Sequence, residues 1–322
     1  VILLCFLLRK SNDYFKAFER GTKMNVNDKN IGFGIYHIEY GEPGEKHIED
    51  ATRNGIVNTL IVGGYDLERF YKTMMLASKN KCRVWVWINQ SIWTNTGFAK
   101  EKLLFNWQET LSTLLNICIS TNSMNYLLGF IIEEPLINRF DKEDIIIVTK
   151  YFREVLNTRV MINLSAYEID NTIVSHNKFK QMPNLTSKIL EYVTDVSIIH
   201  YKDYLNYEEE FKHLTRRILS LSQPDTNIWY VACPIKIKSI QTEQQAIEHL
   251  EGCYSLLMKA ENPGGLICYS WKSDYGLSVG LADLTDAFAE EYWEKIIPKI
   301  RDISNEIKRF NEKLLLEGEA NQ

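Results

Sequence analysis

An apolar run, Gly129-Phe130-Ile131-Ile132, opens onto two adjacent carboxylates and a proline, Glu133-Glu134-Pro135. Neighbouring anions repel each other, and in a partly dry cleft one of them holds its proton near neutrality, as a general acid must. The alternative is that one Glu pairs with a nearby Lys or Arg while the other is solvated. Adjacent side chains on a strand face opposite ways, so one of the two is expected to point toward a site and the other away from it. Residues of similar chemistry end other apolar runs: His37 and Glu39, Tyr65 and Asp66, Asn89 and Trp93, Asn163 with Tyr167 and Glu168, His200 with Tyr201 and Asp203, and Tyr269, Trp271 and Asp274. Carboxylates and aromatics dominate this set. Aromatics fill cores, but they also line carbohydrate and small-molecule clefts.

Other chemistries lack their residues. Strand 1 reads His37-Ile38-Glu39 rather than the H-x-H of barrel metallohydrolases, and no His/Asp cluster at ligand spacing follows, so no metal is expected. Gly32-Phe33-Gly34 has His37 where a dinucleotide fingerprint needs its third glycine, and no Walker-type loop occurs, so no cofactor is expected. No G-x-S-x-G elbow is present. The six cysteines form no C-x-x-C pair. Cys82, Cys118, Cys233 and Cys268 sit among apolar residues and read as buried free thiols. With 37 Lys plus Arg against 42 Asp plus Glu the net charge is −5, and no basic stripe offsets it, which argues against a nucleic-acid partner.

Short β-branched runs alternate with helical patterns along nearly the whole chain, the mark of βαβ units. Strands are expected at about 31–38, 57–63, 83–89, 126–132, 159–165, 195–200, 227–232 and 265–270. Helices are expected at 67–77, 100–120, 144–156, 207–221 and 242–258. The clearest is 100–120, where Leu103, Leu104, Trp107, Leu111, Leu114, Leu115 and Cys118 recur at three- and four-residue steps. Eight such units suit a single (β/α)8 TIM barrel with an extra N-terminal helix (13–24) and a long C-terminal helix (284–316). Residues 1–30 form an arm and helix on this reading, and 31–322 form the barrel with its helical extension. Catalytic groups in this architecture lie at the C-terminal ends of strands, where the residues above fall. Trp85 and Trp87, alternating inside strand 3, read as scaffold between barrel and helices, and Trp107 as scaffold too.

The G-F-x-x-x-E-P ending of strand 4 resembles the strand-4 signature of (β/α)8 glycoside hydrolases. Their acid/base Glu matches Glu134, with Glu133 in the slot of an Asn or Asp. The run Gly264-Gly265-Leu266-Ile267-Cys268-Tyr269-Ser270-Trp271 is similar to their final strand, whose Trp underlies the sugar. The resemblance implies a carbohydrate substrate and a two-carboxylate mechanism on Glu134, Glu133 and a further acid, with Asp203 first in order before Glu39 and Asp274. It implies sugar contacts from Tyr201, Tyr269 and Trp271, an outer subsite at Trp93, and binding roles for Glu39, Asn89, Asn163 and Asp274, with His37 and His200 as substrate-orienting or structural histidines. One departure is that strand 7 ends Ala232-Cys233-Pro234, where retaining members carry a nucleophilic Glu. A barrel that binds a glycan or protein without catalysis is the rival reading.

The run Val1 to Leu8 reads VILLCFLL and precedes Arg9-Lys10. It suits either the tail of a clipped signal or anchor segment, or a buried strand or docked arm. It is too short to span a bilayer, which takes about 20 helical residues, and no small-residue cleavage site follows. Membrane contact is therefore expected only through that segment, and a secreted or cell-surface placement is favoured. Sequons occur at Asn89, Asn163 and Asn184, the first two at strand ends. Nothing in the composition indicates an oligomeric state.

Overall fold

The computed structural model describes residues 30–35, 48–49, 51–52, 56–94, 101–136, 140–173, 184–200, 204–234, 240, 242–269 and 295–320, with backbone alone at 204–207 and 318–320. Eight parallel strands follow one another around a closed barrel: β1 (Gly32–Ile35), β2 (Thr59–Gly63), β3 (Arg83–Trp87), β4 (Leu127–Glu133), β5 (Arg159–Ser165), β6 (Asp195–Ile199), β7 (Asn227–Ala232) and β8 (Pro263–Cys268). β8 pairs back onto β1 from Gly32↔Gly265 to Ile35↔Cys268. Helices α1 (Leu67–Asn80), α2 (Asn89–Ile92), α3 (Trp107–Ser120), α4 (Lys142–Glu154), α5 (Ala166–Ile169), α6 (Ser187–Leu190), α7 (Tyr204–Leu221), α8 (Glu243–Met258) and α9 (Ile296–Ala320) complete the described elements, with short 3-10 turns before β4 and after α5. The chain is a (β/α)8 TIM barrel, as its alternating pattern implied.

Strand alternation divides the apolar residues into two shells. Outward-facing Val84, Phe130, Val160, Val196, Tyr230 and Leu266 pack under the apolar stripes of the helices, among them Phe70, Met74 and Ala77 of α1 and Ile145, Val148 and Phe152 of α4. Phe130 stacks on Phe152 with ring centroids 4.7 Å apart. Inward-facing Ile61, Trp85, Ile131, Met161, Trp229, Val231 and Ile267 fill the barrel. Trp85 therefore lies inside the barrel, edge-on to Trp229 at 5.9 Å, and not between barrel and helices as expected. Trp107 is scaffold, 4.9 Å from Tyr151. The Trp229 indole occupies the space beside Gly32 and Gly265, where any Cβ would overlap its ring. Small residues on β1 and β8 thus admit the largest side chain of β7.

The C-terminal helix is present from Ile296 and buries Ile296, Ile300, Ile303 and Ile307. Asn311 on it accepts from the Ile31 N–H at 2.8 Å and donates to the Ile31 carbonyl at 2.9 Å, so α9 grips the entry to β1. The extra helix expected at 13–24 lies outside the described residues. Five cysteines, Cys82, Cys118, Cys233, Cys253 and Cys268, are buried free thiols. Burial pushes Cys82 and Cys118 up to about 12 and Cys253 and Cys268 higher still, so none of these four is a poised thiolate. Among the described residues no helix is long and apolar enough to cross a membrane, and no group of three or more His, Cys, Asp or Glu could hold a metal ion.

Candidate functional site

The C-terminal mouth of the barrel is organised around the end of β4. Glu133 is its last residue and pairs in register with Asn163 on β5, which in turn pairs with Ser197 on β6. All three occupy the inward row, since Met161 two residues before Asn163 belongs to the barrel interior. Asn163 and Ser197 are fully buried, whereas Glu133 is half-buried at the rim. The Ser197 hydroxyl donates to Asn163 Oδ1, and Asn163 Nδ2 donates to Glu133 Oε1 at 3.3 Å.

The backbone here is held as firmly as the side chains. Asn89, in the short helix α2, accepts from the Glu133 N–H at 2.9 Å and donates to the Glu133 carbonyl at 2.6 Å. Its amide thus substitutes for the strand partner that β3 no longer supplies beyond Trp87. Glu134 leaves the strand with a φ of 41°, a left-handed conformation uncommon for a residue with a side chain, and its N–H donates to the Asn163 carbonyl at 2.7 Å. Two residues further on, the Leu136 N–H donates at 2.7 Å to buried Glu168 of α5, which also accepts from the Ser165 N–H and hydroxyl at 2.8 and 3.0 Å. A carboxylate committed to three donors is a clamp between the loops after β4 and β5 rather than a proton-transfer group. Burial pushes the Glu134 carboxyl above the usual carboxylate range. The two adjacent acids therefore differ: one meets an amide donor, the other is held toward its protonated form.

The remaining expected residues divide. Tyr269 follows β8, half-buried against the barrel interior, with its N–H donated to the Ala232 carbonyl at 2.9 Å. Asn89 and Asn163 lie at the mouth, buried and engaged with Glu133, and buried side chains of this kind cannot carry a glycan; of the three sequons only Asn184 is exposed. Trp93 is corrected: it is 1% exposed and stacks on Phe140 at 4.3 Å, because Ile92 and Thr94 exchange backbone bonds with Leu104 and Lys102 and fold it inward. His200 has the surroundings of the structural histidine that was one of its readings. It is 3% exposed, one position past the inward-facing Ile199, and lies against Phe211 at 4.6 Å and Glu210 at 3.5 Å on α7. Its carbonyl accepts from His249 Nε2 at 2.9 Å, while His249 Nδ1 accepts from the Cys233 N–H at 3.2 Å. These partners assign His249 as the neutral Nε2–H tautomer that ties β6 to β7. His37, Glu39, Tyr201, Asp203, Trp271 and Asp274 lie outside the described residues.

Trp87, read from the sequence as scaffold, lies instead in the interior row. It shares the inward row of Trp85 two residues nearer the mouth, and is half-buried edge-on to Tyr65, 6.0 Å away after β2. The period of two along β3 was the available signal, since one interior Trp implies that the next in the row faces the same cavity.

The chain matches no protein-family model and no curated protein. Among solved structures it is similar to the GH5_18 protein of Streptomyces cattleya in complex with GlcNAc, with a TM-score of 0.53, 10% identity, and 84% of this chain and 80% of that one covered. It is also similar to the β-mannanase of Thermomonospora fusca, with a TM-score of 0.50, 11% identity, and 82% and 86% covered. At such identities the likeness is one of fold. These structural neighbours are glycoside hydrolases with the TIM-barrel fold.

Proposed function

We propose that the protein is a glycoside hydrolase acting on a glycan or polysaccharide, with Glu134 as the proton donor. The observation that carries this reading is the asymmetry of the β4 pair, in which Glu134 is shifted toward its acid form by burial while Glu133 receives the Asn163 amide. In the proposed reaction Glu134 gives its proton to the glycosidic oxygen as the C1–O bond breaks, and the bonding electrons leave with that oxygen. A carboxylate on the other face of the sugar then attacks C1 or takes a proton from the attacking water; Asp203 is proposed for this role, with Glu39 and Asp274 next in order. A carboxyl separation of about 5–5.5 Å gives retention and one of about 6.5–9.5 Å gives inversion. Tyr201, Tyr269 and Trp271, with Trp87 added, are proposed as sugar-binding surfaces, and His37 as a residue orienting the substrate.

A second reading is a barrel that binds a glycan without cleaving it. It is favoured by the end of β7, where Ala232-Cys233-Pro234 offers no carboxylate and the Cys233 N–H is taken up by His249. One experiment separates the two: assay of the purified protein on a panel of aryl glycosides and polysaccharides beside Glu134→Gln and Glu133→Gln. Turnover lost in Glu134→Gln supports hydrolysis with Glu134 as acid, and turnover unchanged in both variants removes that assignment. Binding to a glycan with no turnover of any substrate supports the second reading.

A further inference from the structure

With Glu134 as proton donor, something must keep the adjacent Glu133 from holding a proton as well, and the barrel interior supplies it; the inference rests on that assignment of Glu134. Three neighbouring strands contribute one residue each to a single row: Glu133 from β4, Asn163 from β5 and Ser197 from β6. An amide at a fully buried position such as that of Asn163 costs free energy unless its polar atoms are matched. Its two ends are matched differently. Oδ1 accepts from the Ser197 hydroxyl, and this leaves Nδ2 directed at Glu133 Oε1. The opposite amide orientation would set Oδ1 against the Glu133 oxygen, an arrangement that is attractive only if Glu133 is protonated. A hydroxyl can donate to Oδ1 or accept from Nδ2, so Ser197 matches either end of the amide; with its proton on Oδ1, as here, it completes the orientation in which an ionised Glu133 meets an N–H. An N–H donor at a carboxylate favours its ionised form.

We propose that Asn163 and Ser197 are positioning residues for the reaction: acting as a relay from the barrel interior, they hold Glu133 inward and ionised, and so leave the proton-donor role to Glu134. Neither is proposed to touch substrate. Asn89, which holds the Glu133 peptide and not its carboxyl, has a different task, so its removal should not select between the two protonation states.

The test has two readouts on the intact chain. In the first, the Glu133 side-chain carboxyl is followed by carbon-13 NMR through a pH titration, assigned with Glu133→Gln, in the wild type, Asn163→Ala, Ser197→Ala and the conservative Ser197→Thr. The titration is expected to move to higher pH in both alanine variants and to return in Ser197→Thr. In the second, the pH profile of kcat/KM is recorded on the best aryl glycoside. The acidic limb is expected to move in the same direction, with kcat lower by roughly 10- to 100-fold and KM little changed, as for loss of alignment. A Glu133 titration identical in wild type and both folded alanine variants overturns the proposal. Should an alanine variant fail to fold, Asn163→Leu and Ser197→Cys supply the comparison, since Leu removes the N–H donor at nearly equal volume without adding a charge beside Glu133. A shifted titration in a protein inactive on every glycoside upholds the relay and overturns the hydrolase reading on which its catalytic meaning rests.

Discussion

The two ends of the barrel use the same kind of side chain to opposite purposes. At the N-terminal floor, Asp195 opens β6 and Arg159 opens β5; both are buried, and Arg159 Nε donates to Asp195 Oδ2 at 3.0 Å. Trp229 Nε1 and the Thr194 hydroxyl donate to the same carboxylate at 2.8 and 2.7 Å, and the guanidinium lies 5.2 Å from the Trp85 ring centre. At the mouth, Glu133 and Glu134 are half-buried, with the Asn163 amide donating to Glu133 and burial raising the carboxyl of Glu134. A charge neutralised on every side is structural material. A carboxyl burdened by desolvation is a group with a proton to give.

That contrast can be broken by mutation. The largest effect is expected at the mouth: Glu134→Gln should lower kcat/KM on a responsive glycoside by about 10²–10⁴-fold. Stability should move the other way. A carboxyl raised by burial contributes stability that is present below its unfolded value and lost as pH rises through the folded value, so the uncharged amide should melt no lower than wild type at neutral pH. The activity of the wild type should correspondingly decline as pH rises through the Glu134 titration. A Gln variant that keeps full activity, or that melts well below wild type at pH 7, would erase the distinction between the two ends.

At the floor the expectation reverses. Asp195→Ala leaves the Arg159 charge buried without its partner and should cost about 3–5 kcal/mol in urea unfolding. An unchanged midpoint would mean that the ion pair is not what closes that end. Gly265→Ala is expected to cost about 1–3 kcal/mol by driving a methyl into the Trp229 ring, with thermal melting as the measure. The smallest effect concerns a carboxylate beside the barrel wall. Burial alone would raise Asp170, but hydrogen bonds from Thr172 and His213 and the nearby Arg217 charge bring it down to about 2. Its contribution is present above the unfolded value and lost as pH falls from about 4 toward 2, about 1 kcal/mol after discounting for the half-exposed His213. His213→Ala should flatten that part of the stability profile, and an unaltered acid limb would count against the pairing.

The strands were readable as compact apolar runs, most of them rich in Val and Ile, and β5 and β7 begin and end where the pattern places them. The helix expected from residue 100 begins only at Trp107, because Leu103, although on the apolar stripe, forms a bridge with Trp93. Strand 3 was read to Asn89, but the chain turns into α2 after Ile88, which frees the Asn89 side chain to grip Glu133. Trp93 was misplaced because a loop folding back on itself leaves no periodic trace.

By itself, the sequence determined the order and number of strand–helix units and the adjacent acids at the end of the fourth strand, but not which row of each strand faces inward, as Trp85 and Trp87 show. Periodicity and local composition carry that information along the chain. Only the tertiary structure decided which distant residues meet: Ser197 behind Asn163 behind Glu133, Asp195 with Arg159, and Trp229 over Gly265. Those meetings depend on the register between strands and on barrel closure, properties of three-dimensional packing that no local pattern encodes.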